Sequence, residues 1–228
     1  WYLHTSSDGK IFFKNTQNLI AKLKSTAESY NRESTLKELR KVLERIFTPT
    51  LKDCYQEVLA LPPLDEVRIN QDKVSLLLYE PYGGGLHPDL KKFYEDLVFK
   101  NRILFLSGQK ETLESLIAVT KEYKAISFIL EDMEKERIPE SDPQHITATE
   151  LLDKIRLRML SAARETFTSL TYPMGDKLMS ADFYMTYENN DYRGESQVLE
   201  TLKFKQKFTE DVSSDTFRKK CEQRLFTQ

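Results

Sequence analysis

Three consecutive glycines in the stretch VSLLLYEPYGGGLHPDL, residues 74–90, are the feature of the chain most suggestive of chemistry. A glycine-rich loop between a strand and a helix can point backbone N–H groups at a phosphate, and nucleotide triphosphatases add a Lys-Ser or Lys-Thr pair. Here that pair is missing, and Pro88, at the expected helix start, has no N–H to offer. We interpret the tract as a turn, with a phosphate site as the alternative. The residues of that site would be Gly83, Gly84, Gly85 and Lys91, with Glu80 and Lys92 nearby.

Other catalytic and metal-binding patterns are incomplete. Glu80 follows the apolar residues of SLLLYEP, as a carboxylate follows the strand of a Walker B element. A second carboxylate is missing, and no Walker A loop occurs in the sequence. The histidines at positions 4, 87 and 145 do not combine with Cys54 or Cys221 in a metal-ligand spacing, and no G-x-S-x-G motif occurs. The sequence therefore predicts no catalytic residue and no metal site in this chain.

Basic residues gather near the end of the chain, on two short segments with helical periodicity. Such a pair can form a helix-turn-helix whose cations contact phosphates. The candidate nucleic-acid-binding residues are Lys203, Lys207, Lys219, Lys220 and Arg224. Acidic residues such as Glu200 and Glu210 nearly cancel this charge. An ordinary solvated face is therefore the alternative to nucleic-acid contact.

The composition favours a globular protein with a sizeable core. The chain has 228 residues, 39% of them hydrophobic, and its formal net charge of −2 gives no general attraction to nucleic acid or anionic lipid. Two distant cysteines favour a reducing compartment, and the sequence contains neither a signal peptide nor a membrane-spanning run, so the cytoplasm is expected. Because the chain begins at Trp1 without a Met, we expect it to be part of a longer protein.

The first third of the chain predicts a hairpin followed by helices. Residues 2–5 and 10–14 flank a Ser-Ser-Asp-Gly turn and are expected to pair as strands. Apolar residues at helical spacing then predict two amphipathic helices, the second of them capped by Ser34. A third short helix is expected over residues 51–60, ending before Pro62-Pro63.

The middle of the chain alternates between strand and helix patterns. Short apolar runs at 74–79 and 103–106 predict buried strands, separated by a helix over 88–100, and a long helix follows the second run. Thr147 and Glu150 form a capping box for a further helix, after which two strands flank Gly175-Asp176. Helices over 197–207 and 214–226 end the chain.

These patterns define an α/β fold with a small, mainly parallel sheet flanked by long helices, an N-terminal β-hairpin and a C-terminal helical, helix-turn-helix-like module. We divide the chain into three parts. They are residues 1–66 with the hairpin and helices, 67–187 with the α/β unit, and 188–228 with the small helical module.

Four stretches together resemble a known family. KNRILFLSGQKETLESL, YKAISFIL, ELLDKIRLRMLSAARETFTSLTYP and GESQVLETL resemble the region beyond the ATPase core of large bacterial and archaeal AAA-like ATPases. That family has long been described as a domain of unknown function and is often encoded in anti-phage defence clusters. The stretches occur in order between residues 100 and 202, whereas the family's Walker motifs have no counterpart here.

The resemblance implies a non-catalytic accessory domain of such an ATPase, which contacts a partner or DNA or couples to the ATPase core. The parent protein would use ATP and Mg²⁺, whereas no cofactor is expected for this part. Its implied partners are the ATPase core of the same chain, DNA and other defence proteins. A self-contained nucleotide- or phosphate-binding domain built on Gly83 to Gly85 is the alternative.

Overall fold

The computed structural model describes most of the chain. The described residues are 2–5, 11–14, 19–83, 85–175, 177–186, 192–207, 213–215 and 218. Strands β1 (Tyr2–Thr5) and β2 (Ile11–Lys14) pair antiparallel, with Tyr2 opposite Lys14, which confirms the predicted hairpin.

A five-stranded mixed sheet forms the centre of the fold and confirms the α/β class. Its strands are β3 (Glu57–Ala60), β4 (Ser75–Leu78), β5 (Ile103–Gly108), β6 (Phe167–Met174) and β7 (Lys177–Asp182). Their spatial order equals their chain order. β3, β4 and β5 run parallel, whereas β6 and β7 are antiparallel to their neighbours. The carboxyl ends of the three parallel strands therefore lie at one edge of the sheet and their amino ends at the other.

The helix predicted over residues 51–60 is wrong, because its second half is strand β3. Val58 pairs with Leu76, and the Gln56 amide donates to the Val74 carbonyl. The side chain of Gln56 also accepts from the Val74 amide at 2.8 Å. A four-residue segment gains more from a ladder with an already buried strand than from one isolated helical turn, which is costly to nucleate.

Helices cover both faces of the sheet. The larger layer packs on the face that carries Leu76 and Leu104, and the smaller layer packs on the face that carries Leu77 and Phe105. The helices of the larger layer are α1 (Leu19–Ser29), α2 (Arg32–Phe47), α4 (Lys110–Lys135), α5 (Pro143–Thr166) and α6 (Gly194–Phe204). Helix α3 (Pro88–Asp96) supplies the smaller layer. The alternation of side chains along a strand explains why one apolar run serves two cores.

Two predicted helix starts are wrong by a few residues. Helix α2 is capped by Asn31, whose Oδ1 accepts from the Ser34 amide at 2.8 Å, so Ser34 lies inside the first turn. Helix α5 begins at Pro143 behind Asp142 rather than at the Thr147 capping box. In both cases a side-chain oxygen upstream meets a free amide of the first turn.

Two predicted helix ends also differ from the structure. Helix α3 ends at Asp96 instead of residue 100, and a 3₁₀ turn, Lys100–Arg102, leads into β5. Helix α6 covers Gly194–Phe204, so it ends before residue 207, where the prediction placed its end, and it begins before residue 197. The predicted helix over 214–226 falls mostly outside the described residues.

The three predicted parts share one packed interior. Strand β3, from the first part, pairs with β4 of the second. The larger core cluster extends from Leu23 in α1 to Leu202 in α6. The division at 66/67 and 187/188 stays a prediction. Within the described residues, no helix combines the length and apolar composition that crossing a bilayer requires.

Candidate functional site

The glycine tract lies at the carboxyl edge of the parallel strands, directly after β4. Tyr82 and Gly85 form an isolated antiparallel bridge, and Gly85 has a φ of +111°, a conformation that favours glycine. Gly83 is exposed, and Gly84 lies outside the described residues. The described part of the tract thus forms a tight turn from β4 towards α3.

The start of α3 uses its own polar groups. The Nδ1 of His87 accepts from the Asp89 amide at 3.2 Å, and the His87 carbonyl accepts from the amides of Leu90 and Lys91 at 3.0 and 3.2 Å. Pro88 contributes no amide. The donors that would hold a phosphate at this helix start are therefore already engaged.

Aromatic rings and carboxylates surround the glycine turn. The His87 ring contacts Tyr79 and Tyr82 edge-on, with centroids 5.4 and 4.9 Å apart. Burial, and then the charges of Asp89 and Glu80, raises the pKa of the Tyr79 phenol. These two carboxylates disfavour an anionic ligand beside the Tyr79 phenol.

Glu80 belongs to an ion-pair group at the same edge. Arg32 binds Glu114 at 2.6 Å and approaches Glu80 to 3.9 Å. The hydrogen bond to Glu114 is the main reason that the pKa of Arg32 is raised. Lys91 and Lys92 are exposed on α3. The predicted phosphate-site residues thus share one region of the fold, while Glu80 has a partner of its own.

A cavity lies at the opposite, amino edge of the parallel strands. Its volume is about 770 Å³, within the range of about 300–1,000 Å³ usual for ligand sites. Its lining includes Val74, which precedes β4, and Lys100 and Asn101, which precede β5. The turn after β6 and the end of α6 form the rest of the lining. The apolar lining residues are Val74, Val98, Leu104, Pro173, Met174 and Leu202. We call this feature the amino-edge cavity.

The charged residues of the described lining of the amino-edge cavity are both basic. They are Lys100 and Lys207. The Nζ of Lys207 lies 5.9 Å from the ring centroid of Tyr172, which also lines the cavity. The Nζ of Lys100 lies 5.7 Å from the ring of Tyr94. Two lysines in the lining of an apolar cavity can bind an anionic group that is attached to an apolar body.

Cys54 lies in the wall of the amino-edge cavity as a buried, free thiol. Burial, and then the charge of Glu195, raises the pKa of Cys54 to about 12. Since the thiolate is the nucleophilic form, this residue is a packing group and not a reactive centre at neutral pH.

Glu195 is a structural residue that the sequence analysis missed. Its buried carboxylate accepts three consecutive amides, from Thr50 at 2.5 Å, Leu51 at 3.1 Å and Lys52 at 2.8 Å. It therefore ties the start of α6 to the connection between α2 and β3. An acidic residue in the first turn of a helix is the signal that could have found it.

Gly194 allows the close packing that this contact needs. A Cβ at this position would collide with the ring of Phe47, which is buried at the end of α2. The hydroxyl of Tyr55 donates to the Phe47 carbonyl at 2.5 Å and fixes the same segment. Helix α6 is thus docked on the α/β unit and positions Leu202 and Lys207 at the amino-edge cavity.

The predicted nucleic-acid-binding residues are only partly described. Lys203 is half-buried on α6, and Lys207 lines the amino-edge cavity. Lys219, Lys220 and Arg224 lie outside the described residues. The structure thus places one of the five candidates beside an apolar cavity.

Among the described side chains, no group of three or more His, Cys, Asp and Glu residues could hold a metal ion. Comparison of the chain with protein-family models, curated proteins and solved structures found no match.

Proposed function

We propose that this chain is a non-catalytic accessory domain of a large AAA-like, defence-associated ATPase, in which it contacts a partner and couples it to the ATPase core. The amino-edge cavity carries the proposal. It is open to solvent, and two of its apolar lining residues, Val98 and Met174, are 85% and 51% exposed. Exposed apolar side chains rimmed by polar ones are typical of a docking surface.

The four stretches that resemble the ATPase family support the parent in this proposal. They include the β5–α4 unit and the GESQVLETL segment, whose Glu195 and Gly194 dock α6 on the rest of the fold. ATP and Mg²⁺ are assigned to the parent's ATPase core, and the cytoplasm to the whole protein. Other defence proteins remain among the proposed partners.

The alternative, a self-contained nucleotide- or phosphate-binding domain at Gly83 to Gly85, has less support. The first amides of α3 bind His87, and Glu80 and Asp89 place negative charge beside the turn. A phosphate would have to displace these bonds and overcome this charge.

The reading frame that encodes this chain provides the direct test. We expect a Walker A loop upstream of Trp1 and no phosphate release above buffer from the purified chain with Mg²⁺ and ATP. A start codon directly before Trp1 would contradict the accessory role. Turnover that is lost in Glu80→Gln would contradict the non-catalytic role.

DNA contact is a separate part of the proposal and has its own test. Binding of labelled duplex and single-stranded DNA is measured by fluorescence anisotropy at low and high salt. If the C-terminal cations meet phosphates, affinity falls steeply with salt and is reduced in Lys219→Glu/Lys220→Glu. Equal binding by both proteins, or none at low salt, removes DNA from the proposed partners.

A further inference from the structure

We propose that the amino-edge cavity binds a polypeptide segment in which an acidic side chain stands beside a large aliphatic or aromatic one. This inference rests on the proposed role in partner contact and names the chemistry of the partner. Two independent properties of the cavity carry it, namely the exposure of its apolar wall and the sign of its charged groups.

The apolar wall favours a large hydrophobic side chain. Leu104 and Leu202 are buried in the floor, whereas Val98 and Met174 stand exposed at the sides. A ligand side chain that enters between them removes this apolar surface from water and adds no unsatisfied polar group. Backbone amides of a passing peptide can meet Asn101, the polar uncharged side chain exposed in the lining.

The charges favour a carboxylate beside that side chain. Lys100 and Lys207 come from distant parts of the chain, and the described lining places no acidic side chain between them. The ion pairs between described residues include neither lysine, and the two ammonium groups lie over the rings of Tyr94 and Tyr172. Lys100 is exposed and Lys207 is half-buried, and a carboxylate that reaches both gains charge-assisted hydrogen bonds.

The same features disfavour two other occupants. A nucleic-acid backbone would place a row of phosphates along the apolar side chains of Val98 and Met174, which offer them no donor. A small amphiphilic anion is held best by an enclosed pocket, which buries most of its surface. This cavity is instead open to solvent, with Val98 and Met174 exposed in its lining, so an extended chain can lie across it.

The experiment begins with selection of short random peptides displayed on phage against the purified chain. We expect the selected peptides to combine Asp or Glu with Leu, Phe or Trp. The best peptide is then synthesised with a fluorescent label, together with a version in which every Asp and Glu is replaced by Asn and Gln. Anisotropy should show about tenfold weaker binding for the neutral version, and weaker binding of the acidic peptide at high salt.

Variants of the chain locate the binding site. Lys100→Glu/Lys207→Glu should weaken binding of the acidic peptide about tenfold or more. Val98→Ser/Met174→Ser should weaken both the acidic and the neutral peptide. The matched control, Lys37→Glu/Lys154→Glu, makes the same charge change at exposed lysines on α2 and α5 and should bind normally. Circular dichroism melts of each variant establish that it is folded.

Several results would overturn the inference. Selected peptides that are basic or uncharged, or that bind Lys100→Glu/Lys207→Glu as well as the parent chain, would place the docking surface elsewhere and leave the proposed accessory role standing. Saturable binding of laurate without binding of acidic peptides would identify a small-molecule site. The sequence after Lys207 reads FTEDV, so Glu210→Gln/Asp211→Asn is also tested. Tighter peptide binding by this variant would make the chain itself the occupant and overturn a separate partner.

Discussion

The two edges of the parallel strands differ in how many of their polar groups have protein partners and in how much apolar surface they expose. At the carboxyl edge the amides of α3 bind His87, and Arg32 joins Glu114 and Glu80. At the amino edge Lys100 and Lys207 flank an open cavity with exposed apolar walls. The edge with the glycine-rich sequence is therefore closed, in the sense that its polar groups bind one another. The edge without a motif holds a cavity that is open to solvent.

This difference shows why a motif alone is a poor guide to a site. A phosphate loop needs free amides, and the same strand–turn–helix sequence can satisfy its amides internally. The amino-edge cavity has no motif, because its walls come together only when the sheet and α6 are assembled. The cavity depends on the position of α6, which Glu195 holds. We therefore expect the largest change in stability from a substitution of Glu195.

Glu195→Ala should lower the free energy of unfolding by about 2–3 kcal/mol, because three amides lose their acceptor and water replaces it only in part. Urea unfolding measures the change, and the m-value reports whether the native state stays compact. Glu200→Ala, at an exposed position of the same helix, is the control and should change the free energy by less than about 0.5 kcal/mol. Equal effects of the two substitutions would show that α6 is not held by Glu195.

The strands of longer apolar runs were predictable from sequence, and β3 was not. The runs around Leu76 and Phe105 are continuous and bounded by polar residues, which is typical of buried parallel strands. Residues Glu57–Ala60 are a strand because β4 lies beside them, and local sequence does not encode that neighbour. The hairpin and the turn at Gly175 were predictable because glycine marks them directly.

The candidate sites also have features that local sequence predicts and features that only the assembled fold shows. The position of Gly83 and Gly85 at a strand end follows from local pattern, but the engagement of the α3 amides depends on His87 geometry. The amino-edge cavity joins residues as distant as Cys54 and Leu202, so only the assembled fold reveals it. The role of Glu195 depends on the assembled fold in the same way, because its three amide partners lie more than 140 residues away in sequence.

Cys54 tests whether the wall of the amino-edge cavity is as well packed as the structure indicates. Its pKa is raised from 9.0 to about 12, so the unfolded chain loses the thiol proton first, and this contribution to stability falls as pH rises from about 9 to 12. At about pH 10 the loss relative to neutral pH should be on the order of 1 kcal/mol.

The measurement compares urea unfolding of the parent chain and of Cys54→Ala at neutral pH and at about pH 10. Cys54→Ala should lose less stability over this range, because it has no thiol to titrate. Burial, and then the neighbouring Cys54, raises the pKa of Tyr55, so the difference between the two profiles reports Cys54 together with its effect on Tyr55. Parallel pH profiles for the two proteins would mean that Cys54 is open to water.

Arg32→Ala tests how strongly the carboxyl edge is closed. The Arg32 side chain is 47% exposed and that of Glu114 is 71% exposed, so their ion pair is screened by solvent. We expect a loss of less than about 1 kcal/mol, which should shrink further at high salt. Lys37→Ala on the same helix is the control. A loss comparable to that of Glu195→Ala would show that this edge is held as firmly as α6.

The smallest expected effect is that of nucleotides on the glycine turn. A ligand that binds only the folded state at a concentration of a hundred times its Kd stabilises that state by about 2.7 kcal/mol. For a chain of this size such a gain raises the melting temperature by several degrees, about 2–4 °C for each kcal/mol. Because the α3 amides already bind His87 and the surrounding carboxylates repel phosphate, ATP and dinucleotides should leave the melting temperature unchanged. Differential scanning fluorimetry over a range of nucleotide concentrations measures this.

Two variants, Gly84→Pro and Lys91→Ala, each change one residue of the predicted phosphate site. Lys37→Ala removes a lysine elsewhere and is the control for the loss of charge in Lys91→Ala. A saturable shift that disappears in Gly84→Pro and Lys91→Ala but persists in Lys37→Ala would make the carboxyl edge the ligand site and reverse the contrast between the two edges.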